Sequence, residues 1–215
     1  TLGAAIAFPW SAYSANFNVD VTLADMNDDG TSDIVVCHDG GLTLYMAPAT
    51  FAMVKGPPCT SLGTIDLDRD GNIDIVTVDY ATTLATVWYG NGKGGIRDTA
   101  SFDTGLNGDL NAVHIGDVTN DGLPDLVLAS HLAIVLKVFR NDGAGGFLAG
   151  AAYAYPQLGP NYFIDVTGAA IGDYNGDGRN DVAILHFANE PDSAVWFYPQ
   201  NATGTLGTPV KWSSW

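Results

Sequence analysis

Positive charge is scarce in this chain. Of 215 residues only 8 are Lys or Arg, against 24 Asp or Glu, for a formal net charge of −16 at pH 7. A surface so poor in cations has little to set against a phosphate backbone or an anionic lipid headgroup, which argues against both as partners. No apolar run reaches the roughly 18 residues of a membrane-spanning helix, so insertion into a bilayer is not expected either. Glutamate is nearly missing, Glu190 being the single one, and cysteine is limited to Cys37 and Cys59. No segment repeats its apolar residues at helical spacing. The chain begins at Thr1 without a signal peptide, as expected of a mature or excised chain. Hydrophobic residues make up 47%, a globular composition.

Aspartate, by contrast, is abundant and patterned. The stretches "DMNDDGTSDIVV", "DLDRDGNIDIVTV", "DVTNDGLPDLVL" and "DYNGDGRNDVAIL" begin at Asp25, Asp66, Asp117 and Asp173. Each places oxygen-bearing side chains at positions 1, 3, 5 and 9 and runs at once into a β-branched segment. The first copy offers Asp25, Asn27, Asp29 and Asp33; the second Asp66, Asp68, Asp70 and Asp74; the third Asp117, Thr119, Asp121 and Asp125; the fourth Asp173, Asn175, Asp177 and Asp181. Of the chain's 24 acids, 13 fall at these places. Carboxylates packed this closely repel one another unless a cation sits among them. Calcium takes six to eight oxygens at about 2.3–2.6 Å, and a tight Asp/Asn loop supplies them on one concave side. Position 7 is expected to contribute its backbone carbonyl, which leaves its side chain free to vary as Thr31, Asn72, Leu123 and Arg179. Up to four Ca²⁺ ions are therefore expected, bound most tightly by the all-carboxylate second loop and most weakly by the third, where Thr119 is neutral. Simple hairpin turns would explain the glycines but not the acids. An EF-hand is excluded because position 12 is Val36, Thr77, Leu128 or Ile184, none of which is the carboxylate that loop requires.

The motif starts are 41, 51 and 56 residues apart, a period typical of propellers and stacked arrays. A short apolar strand precedes each motif and two more follow, as in "TSLGTI", "DIVTVD" and "LATVWYG". Gly-rich turns such as "GNGKGG" and "NDGAGG" then lead to an outer strand. Four strands per unit describe a propeller blade. The fold expected is all-β, one propeller domain over 1–215, with repeats near 9–55, 56–103, 104–154 and 155–212. "TLGAAIAF" at residues 1–8 echoes "TLGTPVKW" at 205–212, which leaves one outer strand more than four blades need. A piece of a larger ring, a four-bladed ring with a redundant strand, and a strand that pairs with another subunit all fit that surplus.

The Asp-x-[Asp/Asn/Thr]-x-Asp-Gly-x-x-Asp-aliphatic core, followed in the second and third units by "WYGNGKGG" and "FRNDGAGG", resembles the FG-GAP or VCBS repeat. That family includes the propeller heads of integrin α chains, several fungal and bacterial lectins, and propellers attached to polysaccharide-active enzymes. The resemblance implies calcium in the hairpin between the two innermost strands of each blade. All the ions then lie on one face, as structural pins.

On the opposite face His38, His131 and His186 recur at related positions, and with Trp10 and Tyr155 they are candidates for a ligand surface. Tyr13, Phe17 and Tyr162 are further aromatics in the inter-blade links. His114 points along an inner strand. Cys37 ends a strand of the first blade and Cys59 opens the next, so a disulfide is geometrically sensible, and it suits oxidising surroundings. "NAT" at Asn201 is a glycosylation sequon. Weak all-oxygen calcium loops fill only at extracellular concentrations, so a secreted home is expected. No nucleophile elbow, phosphate loop or zinc spacing is present, and the acids outside the loops form no recognisable catalytic set. The expected function is a non-catalytic extracellular binding or adhesion module for a glycan or protein. The alternatives are a structural subunit that assembles with itself through the spare strand, or the propeller of a secreted polysaccharide-active enzyme.

Overall fold

The computed structural model describes residues 20–47, 50–106, 110–130, 133–148, 150–156, 165–187 and 194–212. They form four antiparallel sheets of four strands, a four-bladed β-propeller. The first blade comprises β1 (Asp20–Ala24), β2 (Asp33–His38), β3 (Gly41–Met46) and β4 (Thr50–Lys55). The second comprises β5 (Ser61–Ile65), β6 (Asp74–Val78), β7 (Leu84–Gly90) and β8 (Ile96–Asp103). The third holds β9 (Leu110–Gly116), β10 (Asp125–Ser130), β11 (Val135–Phe139) and β12 (Ala151–Ala154). The fourth holds β13 (Asp165–Gly172), β14 (Asp181–Phe187), β15 (Ala194–Tyr198) and β16 (Val210–Lys211). Within each sheet spatial order follows chain order, so every blade is a plain meander. The surplus strand expected at residues 1–8 lies outside the described residues.

The core is not a single cluster. Among the described residues it is three, each lying between consecutive blades. Met26, Val35 and Leu44 of the first blade pack on Leu62, Ile75 and Trp88 of the second. Leu67, Val76 and Val87 of the second meet Val113, Leu126 and Phe139 of the third. Val118, Val127 and Val138 of the third meet Val182, Ile184 and Tyr198 of the fourth. A sheet covered on both faces explains why the second strands are continuous apolar runs rather than alternating ones: all five residues of β6 and all six of β10 are buried.

The first strands of successive blades touch around the axis, and polar side chains staple them there. Asp20 Oδ2 accepts from Ser61 Oγ–H and from the Leu62 N–H, both at 3.0 Å. Ser61 Oγ accepts from the Val113 N–H at 3.1 Å. His114 Nε2 accepts from the Ala169 N–H at 3.1 Å. As an acceptor, His114 must be neutral with its proton on Nδ1. Burial lowers its pKa, and the charge of Asp20 opposes that shift only in part. A histidine depressed in the folded state stabilises fully above its unfolded pKa of about 6.5, and that contribution fades as pH falls below it. Urea unfolding of the wild type should therefore lose stability from pH 7 to 5 faster than His114→Gln, which keeps an acceptor but does not titrate. Equal slopes would discount the staple.

Cys37 and Cys59 form the expected disulfide, with Cα atoms 5.6 Å apart and a sequence separation of 22. It ties the second strand of one blade to the linker entering the next. Reduction should lower stability by roughly 3 kcal/mol, read as a drop in the urea midpoint when a thiol reductant is added.

Candidate functional site

The four aspartate loops join the first and second strands of their blades and share one backbone design. Position 4 takes positive φ in every copy: Asp28 57°, Arg69 62°, Asn120 60° and Gly176 77°. The position-6 glycines follow at 81°, 88°, 82° and 83° for Gly30, Gly71, Gly122 and Gly178. A Cβ on any of these four would meet no atom within 4 Å, so the turn's handedness, not lack of space, demands glycine there. That conformation turns amide N–H groups inward. The position-1 carboxylates collect them, as where Asp25 accepts from Asp29 and Gly30 at 3.2 and 2.8 Å and Asp117 from Asp121 and Gly122 at 3.2 and 2.9 Å. Position 5 accepts from the position-7 N–H in all four loops: Thr31, Asn72, Leu123 and Arg179.

Position 9 has a role beyond ligation. Asp33, Asp74, Asp125 and Asp181 are at most 2% exposed. In each, one oxygen accepts from the position-2 N–H (Met26, Leu67, Val118 or Tyr174) at 2.9–3.2 Å. The other accepts from a residue beyond or at the end of the third strand (Ala47, Gly90, Asn141 or Gln200) at 2.8–3.1 Å. The carboxylate therefore pins its loop to a strand that the sequence motif does not reach. Burial raises the pKa of Asp74 and Asp125, against the pull of these bonds.

The second loop fits a cation best. Ligand oxygens of Asp66, Asp68 and Asp74 lie within 4.8 Å of one another. Asp66 Oδ1 is buried without a hydrogen-bond partner. A buried acceptor left open among like charges is what an oxygen cage for a hard cation requires. Arginines supply part of the missing positive charge: Arg97 pairs with Asp68 and, at 3.3 Å, with Asp70; Arg140 reaches Asp121 at 3.1 Å; Arg179 reaches Asp177 at 2.5 Å. The first loop's Asn27 and the fourth loop's Asn175 each cap the position-5 N–H through Oδ1.

Residues 66–128 match the model of the FG-GAP-like repeat. This stretch is similar to an FG-GAP-like repeat. It spans the second and third aspartate loops and the second blade's outer hairpin, whose Gly-rich turn folds back over the loop of the preceding blade: the Gly94 N–H donates to Met26 O at 3.0 Å. No curated protein matches the chain in sequence. Among solved structures, an Agrocybe aegerita lectin that recognises non-reducing terminal N-acetylglucosamine is similar in fold, with a TM-score of 0.57 at 18% identity. The likeness covers 90% of this chain and 52% of the lectin, so the chain spans about half that protein's length.

Two residues expected on the ligand face are not available to one. His38 is 3% exposed, bonded through Nε2 to Thr43 Oγ1 at 2.9 Å and through Nδ1 to the Gly40 N–H at 3.0 Å. It is an interior residue that closes the β2–β3 hairpin. Tyr155 is 2% exposed and packs in the core between the third and fourth blades, so its ring has no face to stack on a sugar. Trp10, Tyr13, Phe17, His131 and Tyr162 lie outside the described residues, as does the side chain of His186, whose backbone sits in β14. Asn201 is exposed in the β15–β16 turn, where its Oδ1 accepts from the Thr203 N–H at 3.0 Å. Asn91 and Asp142 cap the equivalent turns of the second and third blades, so a turn role accounts for Asn201 without a glycan.

Asp79 is one of the acids outside the loops that form no recognisable set in the sequence. It sits at the end of the second blade opposite the aspartate loops, 8% exposed, with Oδ2 lacking a partner. A small pocket of about 40 Å³ opens there, lined by Pro57, Pro58, Thr82, Leu84 and Thr86 among others. The adjacent prolines of the blade linker were the only local hint.

Proposed function

We propose that this chain is an extracellular, calcium-stabilised propeller that serves as a non-catalytic binding module for a glycan or protein ligand. The observation that carries the calcium reading is the unpartnered, buried Oδ1 of Asp66 within a three-carboxylate cluster. The oxygens at positions 1, 3, 5 and 9, with the position-7 carbonyls, would hold up to four Ca²⁺. The bound ions supply counter-charge and loop rigidity, and no reactive chemistry. The Cys37–Cys59 bridge supports an oxidising, extracellular setting.

The binding reading draws on the shared fold with a lectin, which is an analogy of architecture, and on the Asp79 pocket. That pocket admits only the tip of a ligand, such as a hydroxyl or ammonium group set beside the Asp79 side chain, with Leu84, 43% exposed, next to it. A glycan array and a panel of extracellular proteins test it. A saturable hit that Asp79→Asn weakens at least tenfold is the expected result. No saturable hit on either, or turnover of a polysaccharide, would overturn the proposal.

A further inference from the structure

The three inter-blade junctions repeat one pattern. A residue at motif position 2 (Met26, Leu67, Val118) and one on the third strand (Leu44, Val87, Val138) face the following blade and are at most 4% exposed. The following blade covers them partly with its first strand, where Leu62 and Val113 are 6% and 7% exposed.

Both halves of that junction are open at the ends of the array. On the fourth blade, position 2 is Tyr174, 45% exposed. Its ring lies 5.2 Å from that of Phe197, which holds the register place of Val138, and Phe197 lies 5.3 Å from Trp212, 51% exposed. These rings line a groove of about 290 Å³. On the first blade, Val21 takes the place of Leu62 and Val113 and is 60% exposed, and Leu23 beside it is 65% exposed. Exposed aromatic and aliphatic surface of this extent marks an interaction face.

We propose that the fourth blade of one copy of this chain packs on the first blade of a second copy, head to tail, and that two such junctions close one ring. The occupant follows from continuity with the junctions already present. The face that covers Val118 and Val138 is a first-strand face, and the chain carries one more such face, uncovered, at its other end. A heterologous contact forms a closed ring when its rotation permits. Two chains of four blades make eight, within the usual propeller range of about 4–8.

Sedimentation velocity, with circular dichroism to confirm folding, tests this. The wild type should sediment at twice the 22.5 kDa of one chain. Phe197→Asp on one face and Val21→Asp on the other should each give single chains with unchanged β signal. Mixing the two variants should restore the double mass, because one intact face of each remains and those two are complementary. If a variant misfolds, the milder Trp212→Ser and Leu23→Ser replace the pair. A wild type that stays single at all concentrations would overturn the proposal. So would a dimer that survives both substitutions, or one that only Phe197→Asp breaks, which would mean fourth-blade faces pairing with themselves.

Discussion

Chelation with excess EGTA is expected to lower the melting temperature more than any other mild treatment. An ion that binds only the folded state stabilises by RT ln(1 + [L]/Kd), about 2.7 kcal/mol per site at a hundredfold excess over Kd. For a domain of this size each kcal/mol shifts the melt by about 2–4 °C, so one site accounts for roughly 5–11 °C. The second loop should dominate, since it brings Asp66, Asp68 and Asp74 together. Asp68→Asn should remove its share while leaving the calcium-free protein nearly unchanged. Asparagine still accepts from the Asp70 N–H, and the ion pair lost with Arg97, whose side chain is 41% exposed, is worth little in water. Differential scanning fluorimetry with and without calcium measures both. A melt unmoved by thorough chelation would remove the calcium assignment.

The second large effect is expected at position 9. Asp74→Ala strips acceptors from the Leu67 and Gly90 N–H groups, bonded at 2.9 and 2.8 Å in a fully buried site. Each buried donor left without a partner costs about 1–3 kcal/mol, so the loss is on the order of 2–6 kcal/mol even without calcium. Asp74→Asn should cost less, because one oxygen remains to accept. The contrast with Asp68→Asn separates the two duties: position 3 matters only when the ion is bound, position 9 in either state. Equal melts for Asp74→Ala and Asp68→Asn in EGTA would show that the strand-pinning bonds contribute nothing.

These expectations differ in how far the sequence alone supports them. The loop positions are set by local chemistry. A glycine confined to φ above +80° at position 6 and a carboxylate facing two amides a few residues on are features of nine consecutive residues, and the eye finds them four times. The second duty of Asp74 was not legible. Its other partner, Gly90, is 16 residues away, and only the packing of the third strand brings it in. The burial of His38 and Tyr155 was not legible for the same reason. His38 and Tyr155 recur near strand ends, where a linear reading expects solvent. Yet Tyr155 is buried by residues of the fourth blade, and His38 by its own hairpin and the linker that carries Cys59.

By itself the sequence determined the all-β class, the four-loop period and the approximate places of the strands. Each depends on alternation, turn handedness or spacing over a short run of chain, and short-range sterics decide those. Only the tertiary structure decided which apolar residues are covered and which are not. Val118 and Tyr174 hold the same motif position, but one is 1% exposed and the other 45%, because a blade follows the third sheet and none follows the fourth among the described residues. Burial belongs to the neighbour as much as to the residue, and neighbours more than 50 positions apart leave no mark on the local pattern.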